Sequence, residues 1–369
     1  MSSFKWNPTV TQEYSSVYGS STDIVDDISK NINTSFIMDA PGEVYTLNSS
    51  NSFTEGSSWG FVNKESYGVT NVNIKNGIFN VTGDIIDLDN NNLTLDLGSA
   101  AWDFMDSYEL FIETDNDSEI NFVNYYEVGT MNTYYGVNIN IIDNSKINFL
   151  NIASLALGKS NITIYKRGLL NIEAHAISLF GNTKINGIPD AGKHSLRIVN
   201  TANSDSDGST LLRIMNAEFK YKSVSLLESR QTCMINCRAE NEATLIIKSD
   251  ILTRYTDVID PENNAIISIQ DMSSVTIDPF SKGIDYVYDF LNETYPSKMF
   301  NFIRDKAPGS KTCSLRLSVP NANAFVVSAM REQEILTVNG DATQSTVDQY
   351  LKYDFDNSED IKYLIVSLK

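Results

Sequence analysis

Ser145-Lys146-Ile147-Asn148-Phe149 is a small residue followed by two apolar residues, each preceded by a polar one. With a side-chain period of two, Ile147 and Phe149 point to one face of a strand while Lys146 and Asn148 point to the other. The same pattern occurs upstream as Thr70-Asn71-Val72-Asn73-Ile74, Asn91-Asn92-Leu93-Thr94-Leu95 and Ser118-Glu119-Ile120-Asn121-Phe122. Downstream it starts again at Gly168, His194, Ala217, Ala243 and Ser273. The nine starts are separated by 21, 27, 27, 23, 26, 23, 26 and 30 residues. A step held nearly constant, with variation the size of a loop, marks a repeat whose strands stack while its turns vary. Each repeat alone would expose its apolar row, and stacking buries it on the equivalent row above and below. The expectation is therefore an all-β chain forming a parallel β-helix of about nine coils.

Composition agrees with a folded solenoid. The chain has 369 residues, 41% of them hydrophobic, and only 8 prolines to interrupt a ladder. Turn-forming clusters such as Asp89-Asn90-Asn91-Asn92 and Asp143-Asn144-Ser145 separate the strands. There are 47 acidic against 28 basic residues, a net charge of −19. Nucleic acid and anionic membrane both call for a basic field, so neither is expected as a partner. Cys233, Cys237 and Cys313 are too few and unevenly spaced for a disulfide framework and read as reduced, buried thiols. Met1 to Pro8 shows no basic stretch leading into an apolar one, so no signal peptide is expected, and assembly is expected in the cytoplasm.

The two ends differ from the repeat. Residues 1–21, with Trp6, Tyr14 and Tyr18, lack periodicity and read as an arm for attachment. In 22–60, Thr22 or Asp23 caps a helix that carries Ile24, Ile28 and Ile32 on one face, followed by the first coil. The solenoid proper is placed at 61–285. From 286 to 369 the rung pattern stops. Strand-like runs at Ser314–Val319, Ala324–Val327 and Tyr363–Leu368 read as a small C-terminal β domain.

Phe36-Ile37-Met38-Asp39-Ala40-Pro41-Gly42-Glu43-Val44-Tyr45-Thr46-Leu47 is an apolar strand, a Pro-Gly turn and an aromatic strand. With the later Asn73-Ile74-Lys75-Asn76-Gly77-Ile78-Phe79, it resembles the opening of pectate-lyase-like proteins, a group that includes many bacteriophage tailspikes. The resemblance implies the right-handed form of the β-helix. It also implies a choice of roles, because that fold hosts lyases, hydrolases, adhesins and inert rods. Two expectations lead: a non-enzymatic virion protein of tailspike, tail-fibre or head-fibre type, and a polysaccharide depolymerase on the same scaffold. The virion protein would be a homotrimer that meets other virion proteins through its N-terminal arm and a host surface glycan elsewhere. A bacterial surface adhesin is the third.

Candidate chemistry is sparse. Glycoside cleavage needs two carboxylates on an outward face, which Asp87 and Asp89 would supply from one strand. Glu173 and His175 would share another outward face near Lys166 and Arg167, because Leu170 and Ile172 point inward. The outward residues of a solenoid are polar in any case, so such pairs also arise without chemistry. The loop Asn203-Ser204-Asp205-Ser206-Asp207-Gly208 alternates oxygen donors as calcium loops do, with Asn203, Asp205 and Asp207 as ligands. Ile214 stands where the bidentate glutamate of such a loop belongs, and a polar turn is the plainer reading. Tyr125, Tyr126, Tyr134 and Tyr135 would suit stacking on a sugar or contact with a protein, with packing within the turn as the plainer reading. No other cofactor is expected.

Overall fold

The computed structural model describes residues 4–5, 7, 10–25, 35–49, 69–82, 102–103, 109–114, 118–123, 130–133, 137–202, 211–256, 265–281, 288–304, 312–358 and 360–369. These form 26 strands and two helices, and the strands join in one large, mostly parallel sheet. The chain divides into two compact units, one of residues 1–183 with 201–204 and the other of 184–200 with 205–369.

In the first unit the chain returns repeatedly to the same ladders. In one ladder Gln12 stands opposite Phe36, Phe36 opposite Val72, Val72 opposite Ile112, Ile112 opposite Ile139 and Ile139 opposite Ile162, all parallel. A second runs Ser21, Tyr45, Phe79, Ile120, Ile147. A third runs Trp102, Met131, Leu155. From Phe36, Tyr45 and Trp102 onward, register places apolar residue on apolar residue, so these rows become columns. Tyr45, Phe79, Ile120 and Ile147 are fully buried, and the Phe122 and Phe149 rings stack at 5.0 Å. The step from the 118 rung to the 145 rung is thus a true neighbour pair. The 91–95 rung lies outside the described residues.

The N-terminal end departs from expectation. Ser21–Val25 is a strand paired with Tyr45–Ser49 rather than the start of a helix. The ladder offered by the long strand Ser35–Ser49 outweighs the local spacing of isoleucines. Residues 26–34 lie outside the described residues. Gln12–Ser15 is likewise a strand, so the sheet begins inside the stretch read as an arm. The end of the core is closed by aromatic rings. Phe4 stands edge-on to Tyr14, Tyr18, Phe36 and Tyr45 at centroid distances of 5.1, 5.2, 6.3 and 5.2 Å. Burial, with Asp23 beside the hydroxyl, raises the Tyr45 pKa.

The second unit has three ladders. Leu196–Asn200, Val224–Glu228, Thr244–Lys248, Ser274–Asp278 and Ser314–Val319 form the first. Leu211–Met215, Gln231–Ile235 and Ile251–Arg254 form the second. Ala217–Phe219, Cys237–Ala239, Ile267–Ile269, Phe300–Phe302 and Leu336–Val338 form the third. The tightest returns take 20 residues, as from Val224 to Thr244 and from Gln231 to Ile251. Rungs 243 and 273 are neighbours as read, but 194 and 217 lie in different ladders.

After Asp285 the parallel stacking continues before it stops. Phe300–Phe302 and Leu336–Val338, within the stretch expected as a small C-terminal β domain, extend the third ladder. Ser314–Val319 then pairs antiparallel with Lys362–Leu368, which pairs antiparallel with Leu351–Asp356. Ala324–Val327, read as strand-like, opens helix α1 (Ala324–Glu332). Asn323 caps it by accepting hydrogen bonds from the Phe325 and Val326 amides at 2.9 and 3.2 Å. Val326, Val327 and Met330 fall on its buried face, a helical spacing that overrides the β preference of two valines. A second helix, α2 (Gln344–Tyr350), packs on Leu336–Val338.

Candidate functional site

Three successive turns of the second unit carry the site. Each follows a strand of the third ladder, and each holds two consecutive residues at positive φ. Tyr221 and Lys222 have φ of 54° and 63°, Asn241 and Glu242 of 55° and 66°, Asp271 and Met272 of 49° and 58°. The turns stack by backbone bonds. The Lys222 amide donates to the Asn241 carbonyl at 3.0 Å, and the Glu242 amide to the Asp271 carbonyl at 2.8 Å. Buried Ser223, Ala243 and Ser273 follow each pair and return the chain to the first ladder.

Over these turns lies a cleft of about 520 Å³, lined by Ile188, Tyr221, Lys222, Asn241, Glu242 and Asp271. That volume lies within the roughly 300–1,000 Å³ usual for small-ligand clefts. Tyr221 and Ile188 are 55% and 54% exposed, so the cleft offers an aromatic and an aliphatic patch to solvent. Lys222 Nζ is 3.5 Å from Glu242 Oε2, and Gln270 Nε2 donates to Asp271 Oδ2 at 3.2 Å.

A charge network braces the turns from one side. Lys220 Nζ lies 2.8 Å from Glu218 Oε2 and 2.7 Å from Glu240 Oε1, and Gln270 Nε2 donates to Glu240 Oε2 at 2.6 Å. The bond from Lys220 holds the Glu218 pKa below its ordinary value, and the bonds to Glu218 and Glu240 raise that of Lys220. Both groups therefore stay charged across the neutral range. A second column pairs Lys248 Nζ with Glu228 Oε1 at 2.6 Å, near His194, whose pKa is lowered by burial and by Arg197.

Of the residues anticipated from sequence, Glu173, His175, Lys166 and Arg167 are among those described, and none of them lines the cleft. Leu170 and Ile172 are fully buried, and Glu173 and His175 are partly exposed on the opposite face of the same strand, as the alternation requires. Lys166 is ion-paired with Asp143. Asp87 and Asp89 lie outside the described residues, as do Asn203, Asp205 and Asp207 of the calcium-type loop and Tyr125, Tyr126, Tyr134 and Tyr135. Among the described residues no group of three or more His, Cys, Asp or Glu is placed to hold a metal. Cys233, Cys237 and Cys313 are free and buried.

No protein-family model, no curated protein and no solved structure matches the chain. The cleft was missed in the sequence for a definite reason. The alternation that starts at Ala217 places Phe219 and Tyr221 inward, but that strand ends at Phe219. Tyr221 falls instead on the left-handed turn and points outward. The available signal was the 20-residue echo of Phe219-Lys220-Tyr221-Lys222-Ser223 in Ala239-Glu240-Asn241-Glu242-Ala243.

Proposed function

We propose that the chain is a right-handed parallel β-helix serving as a non-enzymatic virion protein of tailspike, tail-fibre or head-fibre type. It assembles as a homotrimer, attaches to the particle and contacts the host surface or other virion proteins. The observation that carries this reading is the return of the same parallel ladders in register, which suits a rigid, protease-resistant support. Outward carboxylates are spent on ion pairs with the next rung, as in Glu119 with Lys146 at 3.7 Å, Glu228 with Lys248 and Glu242 with Lys222. That arrangement favours structure over acid–base chemistry. Attachment falls to the N-terminal residues ahead of the first strand at Gln12.

Sedimentation analysis of the purified chain, with immunogold labelling of particles made by the source virus, tests the reading. A trimer and labelled particles are expected. A stable monomer with no affinity for particles or host cells would sink it. One observation favours a depolymerase as the second reading: Glu173 and His175 stand two residues apart on one partly exposed strand face. New reducing ends or unsaturated uronates after incubation with host capsule or O-antigen would establish it. Unchanged polymer across a broad panel would remove it.

A further inference from the structure

We infer that the cleft over the Tyr221, Asn241 and Asp271 turns is a binding site for a neutral oligosaccharide, gripped by the Tyr221 ring and the Asn241 amide. The proposed attachment role supplies only the setting, a protein that faces a cell surface. The first argument is conformational. Five of the six residues lining the cleft are at positive φ, where a side chain is disfavoured and glycine is not. Among the described residues five glycines and nine other non-glycine residues also adopt positive φ, so the conformation by itself does not mark the cleft. What sets these turns apart is that three in succession gather such residues on one cleft, with a bulky tyrosine among them. Asn and Asp tolerate this backbone, whereas Tyr221 holds it against preference, which points to a use for its ring.

The second argument is their lack of internal employment. Among the described residues the Tyr221 and Asn241 side chains make no hydrogen bond, ring contact or ion pair. Tyr221 is more than half exposed, and it stands beside Ile188, which is equally exposed. An accessible phenol ring beside an aliphatic patch matches the C–H face of a pyranose. An unengaged amide together with flanking carboxylates matches its hydroxyls.

Charge narrows the ligand. Lys222, Glu242 and Asp271 leave the cleft with an excess of one negative charge, on a chain of net charge −19. A polyuronate or a phosphorylated glycan would enter against that field. The three turns repeat at the strand spacing of about 4.8 Å, so the cleft extends over roughly 10 Å. That length accommodates more than one sugar ring and favours an oligosaccharide over a monosaccharide.

The test uses the full chain on an array of neutral hexose and N-acetylhexosamine oligosaccharides, with oligouronates of equal length as the anionic arm. Calorimetry follows on the best tetrasaccharide. Neutral ligands are expected to bind, and Tyr221→Gly and Asn241→Ala are each expected to weaken binding at least tenfold. Tyr221→Gly should at the same time hold or raise the melting temperature, because glycine relieves the left-handed strain. Loss of affinity without loss of stability separates recognition from folding. The inference is overturned if no neutral glycan binds, if oligouronates bind best, or if both variants bind as the parent does. Particle labelling run in parallel keeps the two readings apart. Labelled particles without glycan binding would remove the site and leave the attachment role, and glycan binding without labelled particles would do the reverse.

Discussion

Gly77 has φ of +103°, and a Cβ added there would stand 2.5 Å from Met38 Cε and 2.7 Å from the Ala40 carbonyl oxygen. Backbone conformation and space both demand glycine, which gives a physical reason for its place in the Ile74-Lys75-Asn76-Gly77-Ile78-Phe79 stretch. Gly77→Ala is expected to destabilise the protein by about 3 kcal/mol, read as a shift of the denaturation midpoint. Lys220 gives a test by pH. Glu218 is held below its ordinary pKa, so its contribution is complete above the ordinary carboxylate range and fades as pH falls through the depressed value. Lys220 is raised, so its contribution is complete below the ordinary lysine value and fades as pH rises through the raised one. The network is intact from about pH 5 to about pH 10. Lys220→Met, which strands the nearly buried Glu240, is expected to lower stability by about 2 kcal/mol at neutral pH. The melting-temperature gap to the parent should shrink towards both extremes. A gap independent of pH would count against the assignment.

At the scale of strands, the sequence pattern succeeded where inward slots were apolar and failed where they were not. Ile120 and Ile147, or Leu245 and Val275, fill facing inward positions, and those rungs were legible. In Val224–Glu228 the inward slot between Leu196 and Leu245 holds Ser225, and in Gln231–Ile235 the slot between Leu212 and Leu252 holds Thr232. Both are fully buried, and neither hydroxyl has a hydrogen-bond partner among the described residues. An alternation search discards such strands, and this is why the 20-residue returns were missed. Removing an unpaired buried hydroxyl relieves its desolvation, so Ser225→Ala and Thr232→Val are each expected to stabilise by about 1 kcal/mol, measured by urea denaturation. Outward columns behave oppositely. Asn80 Nδ2 donates to Thr46 Oγ1 at 3.2 Å, Asn121 Nδ2 to Asn80 Oδ1 at 2.9 Å, and Asn148 Nδ2 to Asn121 Oδ1 at 2.7 Å. Asn121→Ala breaks two of these bonds and is expected to cost about 2 kcal/mol by the same measurement.

For the whole chain, the repeat could be read from the sequence and the ends could not. A period needs several copies to be visible, whereas each end is built once. The Phe4 ring cluster and the α1, α2 and antiparallel-strand cap are assembled from residues far apart in sequence, with no local signature of the task. The thiols report on the integrity of the second unit. Burial pushes the Cys237 and Cys313 thiols up to about 12, and both are essentially inaccessible. They are therefore expected to resist alkylation at pH 8 in the native protein and to label fully in denaturant, as mass spectrometry would show. Rapid native labelling of either would mean that the stacked ladders open far more readily than their packing implies.

The direction of a single strand has a further consequence. A stack of parallel strands ends in an edge that matches its own beginning, and a second molecule can in principle continue it. Repeated, that contact is a heterologous, non-closing one and yields a fibre. Lys362–Leu368 lies across Ser314–Val319 with reversed polarity. The edge that Leu351–Asp356 then presents belongs to an antiparallel sheet and no longer offers the repeat's own register to an incoming copy. Lys362–Leu368 thus acts as a chain terminator in the polymer sense, and whether this ladder can recruit a copy of itself is decided by which way seven residues run.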